Sequence, residues 1–156
     1  MRFVASFLLA SLFPAIAPGQ VSTGPQPEIR VEAITGRPWS LLGGAGVNVA
    51  AGTYTRLGVN AAAGMARSDS RTLVAGRVDG IGRFLFDPFR QSRTGLYGLA
   101  GVSAMYLEHD GWTPRVVLGL GLEGRAYGRR ITSVEVALGG GVRLAVVVRR
   151  TRPGGR

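Results

Sequence analysis

The tightest constraint on this chain is a two-residue rhythm that runs through its last third. From Pro114 to Arg125, Val116, Leu118, Leu120 and Leu122 alternate with Arg115, Val117, Gly119, Gly121, Glu123 and Arg125. Thr132, Val134, Val136 and Leu138 then alternate with Ser133, Glu135 and Ala137. Past Gly139 and Gly140, Val142, Leu144, Val146 and Val148 alternate with Arg143, Ala145, Val147 and Arg149. Alternation sustained this long predicts strands whose two faces meet different surroundings.

The same rhythm extends upstream. Ile29, Val31 and Ala33 oppose Arg30 and Glu32, and Gly36-Arg37-Pro38 reads as a turn. Trp39, Leu41, Ala45, Val47 and Val49 oppose Ser40, Gly44, Gly46 and Asn48. Leu57, Val59, Ala61, Ala63 and Met65 oppose Arg56, Gly58, Asn60, Ala62 and Gly64, and Ser68 to Ser70 is a turn. Val74, Val78, Phe84 and Phe86 oppose Arg77, Asp79 and Arg83. Between Thr94 and Glu108 the register is open; Leu96, Ala100, Val102, Ala104 and Tyr106 fit the apolar face and Ser103 the other. Short connections between consecutive strands predict antiparallel neighbours. Eight strands can close with an interior just filled by side chains. The expected architecture is therefore an all-β, antiparallel up-and-down barrel over residues 28–150, with a sandwich of two sheets as its alternative.

A length of 156 residues suits one domain. The 25 glycines follow no triplet period, which excludes a collagen-like chain. The absence of cysteine excludes disulfides, thiolate metal sites, a cysteine nucleophile and a lipid-modified N-terminal cysteine. Arg2 followed by the apolar run Phe3 to Phe13 reads as a secretory signal, too short to span a bilayer. Residues 1–19 are assigned to it, with cleavage preferred before Gln20 and an uncleaved anchor as the alternative. Residues 20–27 form a short lead-in, and 151–156 a basic tail.

The small, sparsely charged face suits a crowded polar lumen better than a water-facing exterior, because glycine weakens a strand unless something must approach closely. If it lies inside, Arg30, Glu32, Arg56, Asn60, Arg77, Asp79, Arg83, Arg115, Glu123, Glu135 and Arg143 form an interior polar network. The turn at Gly139-Gly140 suggests that Glu135 and Arg143 pair as ions, and the turn at 68–70 sets Asn60 opposite Asp79. The leucine- and valine-rich face then points outward, which only lipid makes tolerable. With both termini on one side, Trp39, Tyr106 and Trp112 fall at one end, and Tyr54, Phe84, Phe86, Tyr97 and Tyr127 at the other. Two such aromatic girdles bracket the apolar band of a transmembrane barrel.

With these patterns, and with phrases such as Leu96-Tyr97-Gly98-Leu99-Ala100-Gly101-Val102, Leu118-Gly119-Leu120-Gly121 and Gly139-Gly140-Gly141-Val142-Arg143-Leu144, the chain resembles small bacterial outer-membrane β-barrel proteins. These are typified by the eight-stranded OmpA and OmpX transmembrane domains, and the resemblance spans roughly Glu28 to Arg150. It implies an outer-membrane location in a Gram-negative-type bacterium and outer-membrane lipid as the surrounding partner. Two features depart from that family: the last strand ends Val148-Arg149-Arg150 and not in an aromatic residue, and the outward loops are short, unlike those of receptors or adhesins.

No motif carries chemistry. His109, the single histidine, lies between Glu108 and Asp110 in a turn; Ser103 is the nearest serine for a nucleophilic arrangement, but its face does not match. Consecutive Glu108, His109 and Asp110 point in different directions and do not make a metal site. Gly139-Gly140-Gly141 precedes no helix and the chain has no lysine for a phosphate loop. The net charge of +10 raises nucleic-acid binding, yet the arginines are dispersed one per strand on an exported chain. The basic tail suits anionic lipid headgroups or cell-wall polymer. The expected function is a non-enzymatic structural or envelope-stability role without a cofactor; the alternative is a soluble, secreted or periplasmic small-ligand-binding barrel.

Overall fold

The computed structural model describes residues 24–68, 71–88 and 94–150. The expected signal at 1–19, the tail at 151–156 and lead-in residues 20–23 lie outside the described residues. Eight strands follow in order: β1 Gln26–Thr35, β2 Trp39–Ala50, β3 Thr55–Ser68, β4 Arg71–Leu85, β5 Gly95–Leu107, β6 Gly111–Glu123, β7 Arg130–Leu138 and β8 Val142–Arg150. Each pairs antiparallel with the next, and β1 pairs with β8, so the sheet closes into an up-and-down barrel. Closure leaves no open edge between β1 and β8, which is why the sandwich alternative fails. β1 begins two residues earlier than its alternation indicated, because Gln26 and Pro27 still pair with Asn48 and Val47.

Asn60 lies opposite Asp79, as the turn at 68–70 indicated. The open stretch resolves with Ala104 opposite Val78 and Leu96 opposite Leu122. Alternation then sorts the side chains without ambiguity. Ile29, Val31, Leu57, Val59, Val102, Val116, Leu118 and Leu120 are exposed on the outer wall, whereas Arg30, Glu32, Asp79, Arg83 and Glu135 are buried inside. The polar set is the core.

β1 begins and β8 finishes at the same end of the barrel, called here the terminus end. At the opposite, far end an apolar cluster of Ile34, Leu42, Ala62, Ala66, Ala75, Met105 and Leu107 fills the interior against β1 to β5. A second cluster, Ile81, Leu85, Tyr97, Leu99, Val117 and Ala137, lines the inner wall of β4 to β7. Between them runs the ion-paired column described next.

Candidate functional site

Three carboxylates from β1 and β7 anchor the centre of the lumen. Arg30 sits at the hub: its guanidinium lies 2.8 Å from Glu135, 3.3 Å from Glu32 and 3.7 Å from Glu28. Arg83 projects from β4 across the interior to reach Glu135 at 2.9 Å and Glu28 at 3.1 Å, and it donates to the Asn48 side chain. Asn48 in turn donates to Glu28. With its amide nitrogen turned toward Glu28, Asn60 donates to that carboxylate at 2.6 Å and accepts from Arg30 at 3.0 Å.

A second group lies nearer the far end. Glu32 receives Arg77 at 2.5 Å and Arg143 at 3.1 Å, while Asp79 receives the same two arginines at 2.9 and 3.3 Å. Arg143 on β8 thus reaches Asp79 on β4, four strands around the wall. Toward the terminus end, Glu123 holds Arg149 at 2.6 Å and Arg56 at 3.0 Å. These contacts are struts across the barrel more than rungs along it. A buried charge without its partner is strongly unfavourable, so the struts fix how the eight strands close as well as filling the space.

Three expectations need correction. Glu135 and Arg143 do not pair: Glu135 lies opposite Ala145 and Arg143 opposite Ala137, a two-residue offset, and each finds its partners on other strands. Tyr97 does not belong to the girdle. It shares parity with Leu99 and Ser103, is buried inside, and donates to Glu135 at 2.9 Å. Its ring lies over Gly121 on the facing strand, where a Cβ would collide with it. Arg115 sits outside the network, half-buried at the far end against Gly140, and has no acidic partner among the described residues.

Glu28 and Asn48 complete the network although they were not singled out with it, and Arg149, one of the charges on the polar face, joins it as well. Their signal was parity alone: Asn48 already lay on the polar face, Arg149 continued that of β8, and Glu28 sits two residues before Arg30. Ser103 is buried inside, while His109 is exposed in the turn after β5, so the two do not meet.

The outer wall is the network's complement. Trp112 packs beside Tyr106 at 5.4 Å near the far end, where Trp39 is also exposed. At the terminus end Phe84 lies 6.0 Å from Tyr54 and 5.8 Å from Phe86, and Tyr127 is exposed. Between the two aromatic levels no described outward residue is charged; outward arginines occur only at the rims, as Arg67, Arg130 and Arg150.

No protein-family model matches this sequence, and no curated protein does. Among solved structures, the N-terminal β-barrel domain of Pseudomonas aeruginosa OprF is similar over 80% of this chain and 96% of its own, at 11% identity and a TM-score of 0.54. Neisserial surface protein A is similar over 82% of this chain and 96% of its own, at 12% identity and a TM-score of 0.57. The likeness is one of fold: a closed, eight-stranded antiparallel barrel.

Proposed function

We propose that this chain is an integral outer-membrane barrel whose role is structural, stabilising the envelope without catalysis or conduction. The observation that carries this reading is the uncharged outer wall. Contiguous exposed apolar surface of this extent, encircling the molecule, has no place in water, where patches beyond a few hundred Å² mark an interaction site. Its height fits a bilayer. From Trp112 to Leu122 the strand advances ten residues, which at about 3.4 Å each and a tilt of about 40° spans roughly 26 Å, close to the ~25 Å apolar band of membrane barrels. The fold shared with the OprF barrel domain and with Neisserial surface protein A supports the same placement.

The interior supports the structural part of the reading. The struts leave the centre crossed by Arg30, Arg83 and Arg143, and the far end is filled by the Ile34, Leu42 and Met105 cluster. An ion crossing this path would have to break buried pairs and then pass an apolar plug, both unfavourable. Ser103 is enclosed and His109 lies outside, so these two are not joined as nucleophile and base.

Expression in a Gram-negative host followed by separation of outer membrane, periplasm and medium tests the placement; recovery in the outer-membrane fraction is expected, and recovery as a soluble periplasmic or secreted protein would contradict it. Planar bilayers containing the purified protein are expected to show no discrete conductance steps. Reproducible steps would remove the closed-interior half of the reading.

A further inference from the structure

The two ends of the barrel differ in loop length and in charge. Far-end turns take three residues at 36–38, 108–110 and 139–141 and two at 69–70, whereas terminus-end connections take four at 51–54, nine at 86–94 and six at 124–129. Far-end charges nearly balance: Arg37, Arg67, Arg71 and Arg115 against Asp69, Glu108 and Asp110. At the terminus end Arg125, Arg129, Arg130 and Arg150 stand exposed, with Asp87 as the loop acid among the described residues of that end; in sequence, Arg90 and Arg93 fall between β4 and β5, and Arg152 and Arg156 follow β8.

One juxtaposition in this basic rim is specific. Arg130 and Arg150 are direct partners in the β7–β8 ladder. Ile131 and Arg149, their neighbours in sequence, are buried inside, so both Arg130 and Arg150 belong to the outer face. Neither has an acidic partner among the described residues. Like charges placed directly opposite on adjacent strands repel, and between the two aromatic levels no described residue of the outer wall is charged. The pair sits one outward step below Thr132 and Val148, where the apolar wall ends, beside the exposed ring of Tyr127. An anion bridging them would convert the repulsion into two charge-assisted contacts, and planar guanidinium groups suit phosphate oxygens.

We propose that Arg130 and Arg150 together hold the phosphate of an anionic phospholipid in the leaflet bordering the terminus end; this rests on the membrane placement above. The barrel's interacting face is then the terminus end, not its short far-end turns. Anionic lipid is favoured over zwitterionic lipid because the surrounding rim is itself cationic, so a headgroup that keeps its net negative charge gains most.

Native mass spectrometry of the folded protein, released from neutral detergent with equimolar phosphatidylglycerol and phosphatidylcholine, tests this. Preferential retention of phosphatidylglycerol is expected, by about fivefold for each arginine engaged. The preference should be lost in Arg130→Gln/Arg150→Gln and kept in Arg67→Gln at the far rim. Should the double variant fail to fold, each single glutamine variant must lower the preference. Equal retention of the two lipids by the wild type, or an unchanged preference in the variants, overturns the proposal. Excess inorganic phosphate should not displace the lipid; if it does, the pair is a free-anion site and the lipid assignment is wrong. Insertion itself is read separately by lipid quenching on the outer wall, so a barrel that is quenched but shows no lipid preference refutes this inference alone.

Discussion

Replacing Glu135 with alanine removes the acceptor on which three side chains converge. Its carboxylate receives Arg30 at 2.8 Å, the Arg83 Nε at 3.0 Å and the Tyr97 hydroxyl at 2.9 Å, and its side chain is 2% exposed. Breaking a buried ion pair costs about 3 to 5 kcal/mol, because the remaining charge stays desolvated. Both arginines retain another carboxylate, Arg83 at Glu28 and Arg30 at Glu32, which places the ionic part near the lower limit, about 3 kcal/mol. The lost phenol contact adds about 1 kcal/mol, giving a total of roughly 4 kcal/mol. Glu135→Gln keeps the shape, an acceptor for Tyr97 and one for a guanidinium, so it should cost about 2 kcal/mol, the value of a charged hydrogen bond. Equilibrium urea unfolding in phospholipid vesicles, followed by the fluorescence of Trp39 and Trp112, measures both. A double-mutant cycle assigns the partners: Glu135 with Arg83 should couple by more than about 1 kcal/mol, and Glu135 with Arg143 by less than about 0.5 kcal/mol. An alanine variant within about 1 kcal/mol of wild type would mean an interior solvated enough to replace the carboxylate with water. Stronger coupling to Arg143 than to Arg83 would restore a hairpin pair and refute the cross-barrel struts.

Other consequences are independent of that network. A Cβ on Gly101 would lie 2.9 Å from the Ile81 Cα, so Gly101→Ala should lower stability by about 1 to 3 kcal/mol. Gly98→Ala on the outer face meets only the Phe86 ring at 3.7 Å and should stay within about 0.5 kcal/mol; urea midpoints of the two variants decide. Cysteines replacing Ala61 and Val78, which are ladder partners, should crosslink under mild oxidation more readily than cysteines at Ala61 and Asp79. The reverse order would reveal a one-residue slip that turns a strand inside out.

The closed barrel was legible because parity is a local property. Leu118, Leu120 and Leu122 declare one face and Gly119, Gly121 and Glu123 the other, whatever lies across the sheet. Short turns then dictate antiparallel neighbours, and Asn60 opposite Asp79 follows from counting across residues 68–70. Counting fails where geometry is global. Arg83 on β4 meets Glu28 on β1 and Glu135 on β7, contacts fixed by how the sheet closes and tilts, which no single hairpin encodes. The expectation that Glu135 meets Arg143 treated the lumen as a set of hairpins. Tyr97 illustrates a different limit. Its position near a strand end resembles that of a girdle residue, yet its parity and the space above Gly121 turn it inward.

The central claim is that the outer wall faces lipid, and Leu118 tests it most directly. It occupies a central outward position on β6, between Trp112 near the far end and Leu122 near the terminus end, and is 57% exposed. A fluorescent label on Leu118→Cys, read in vesicles whose lipids carry quenchers at different acyl depths, should be quenched most by the deepest quencher, and labels at Trp112 and Leu122 by shallower ones. A label at Leu118 insensitive to every lipid quencher but accessible to a water-soluble one, in a chain that stays soluble without detergent, would contradict the account.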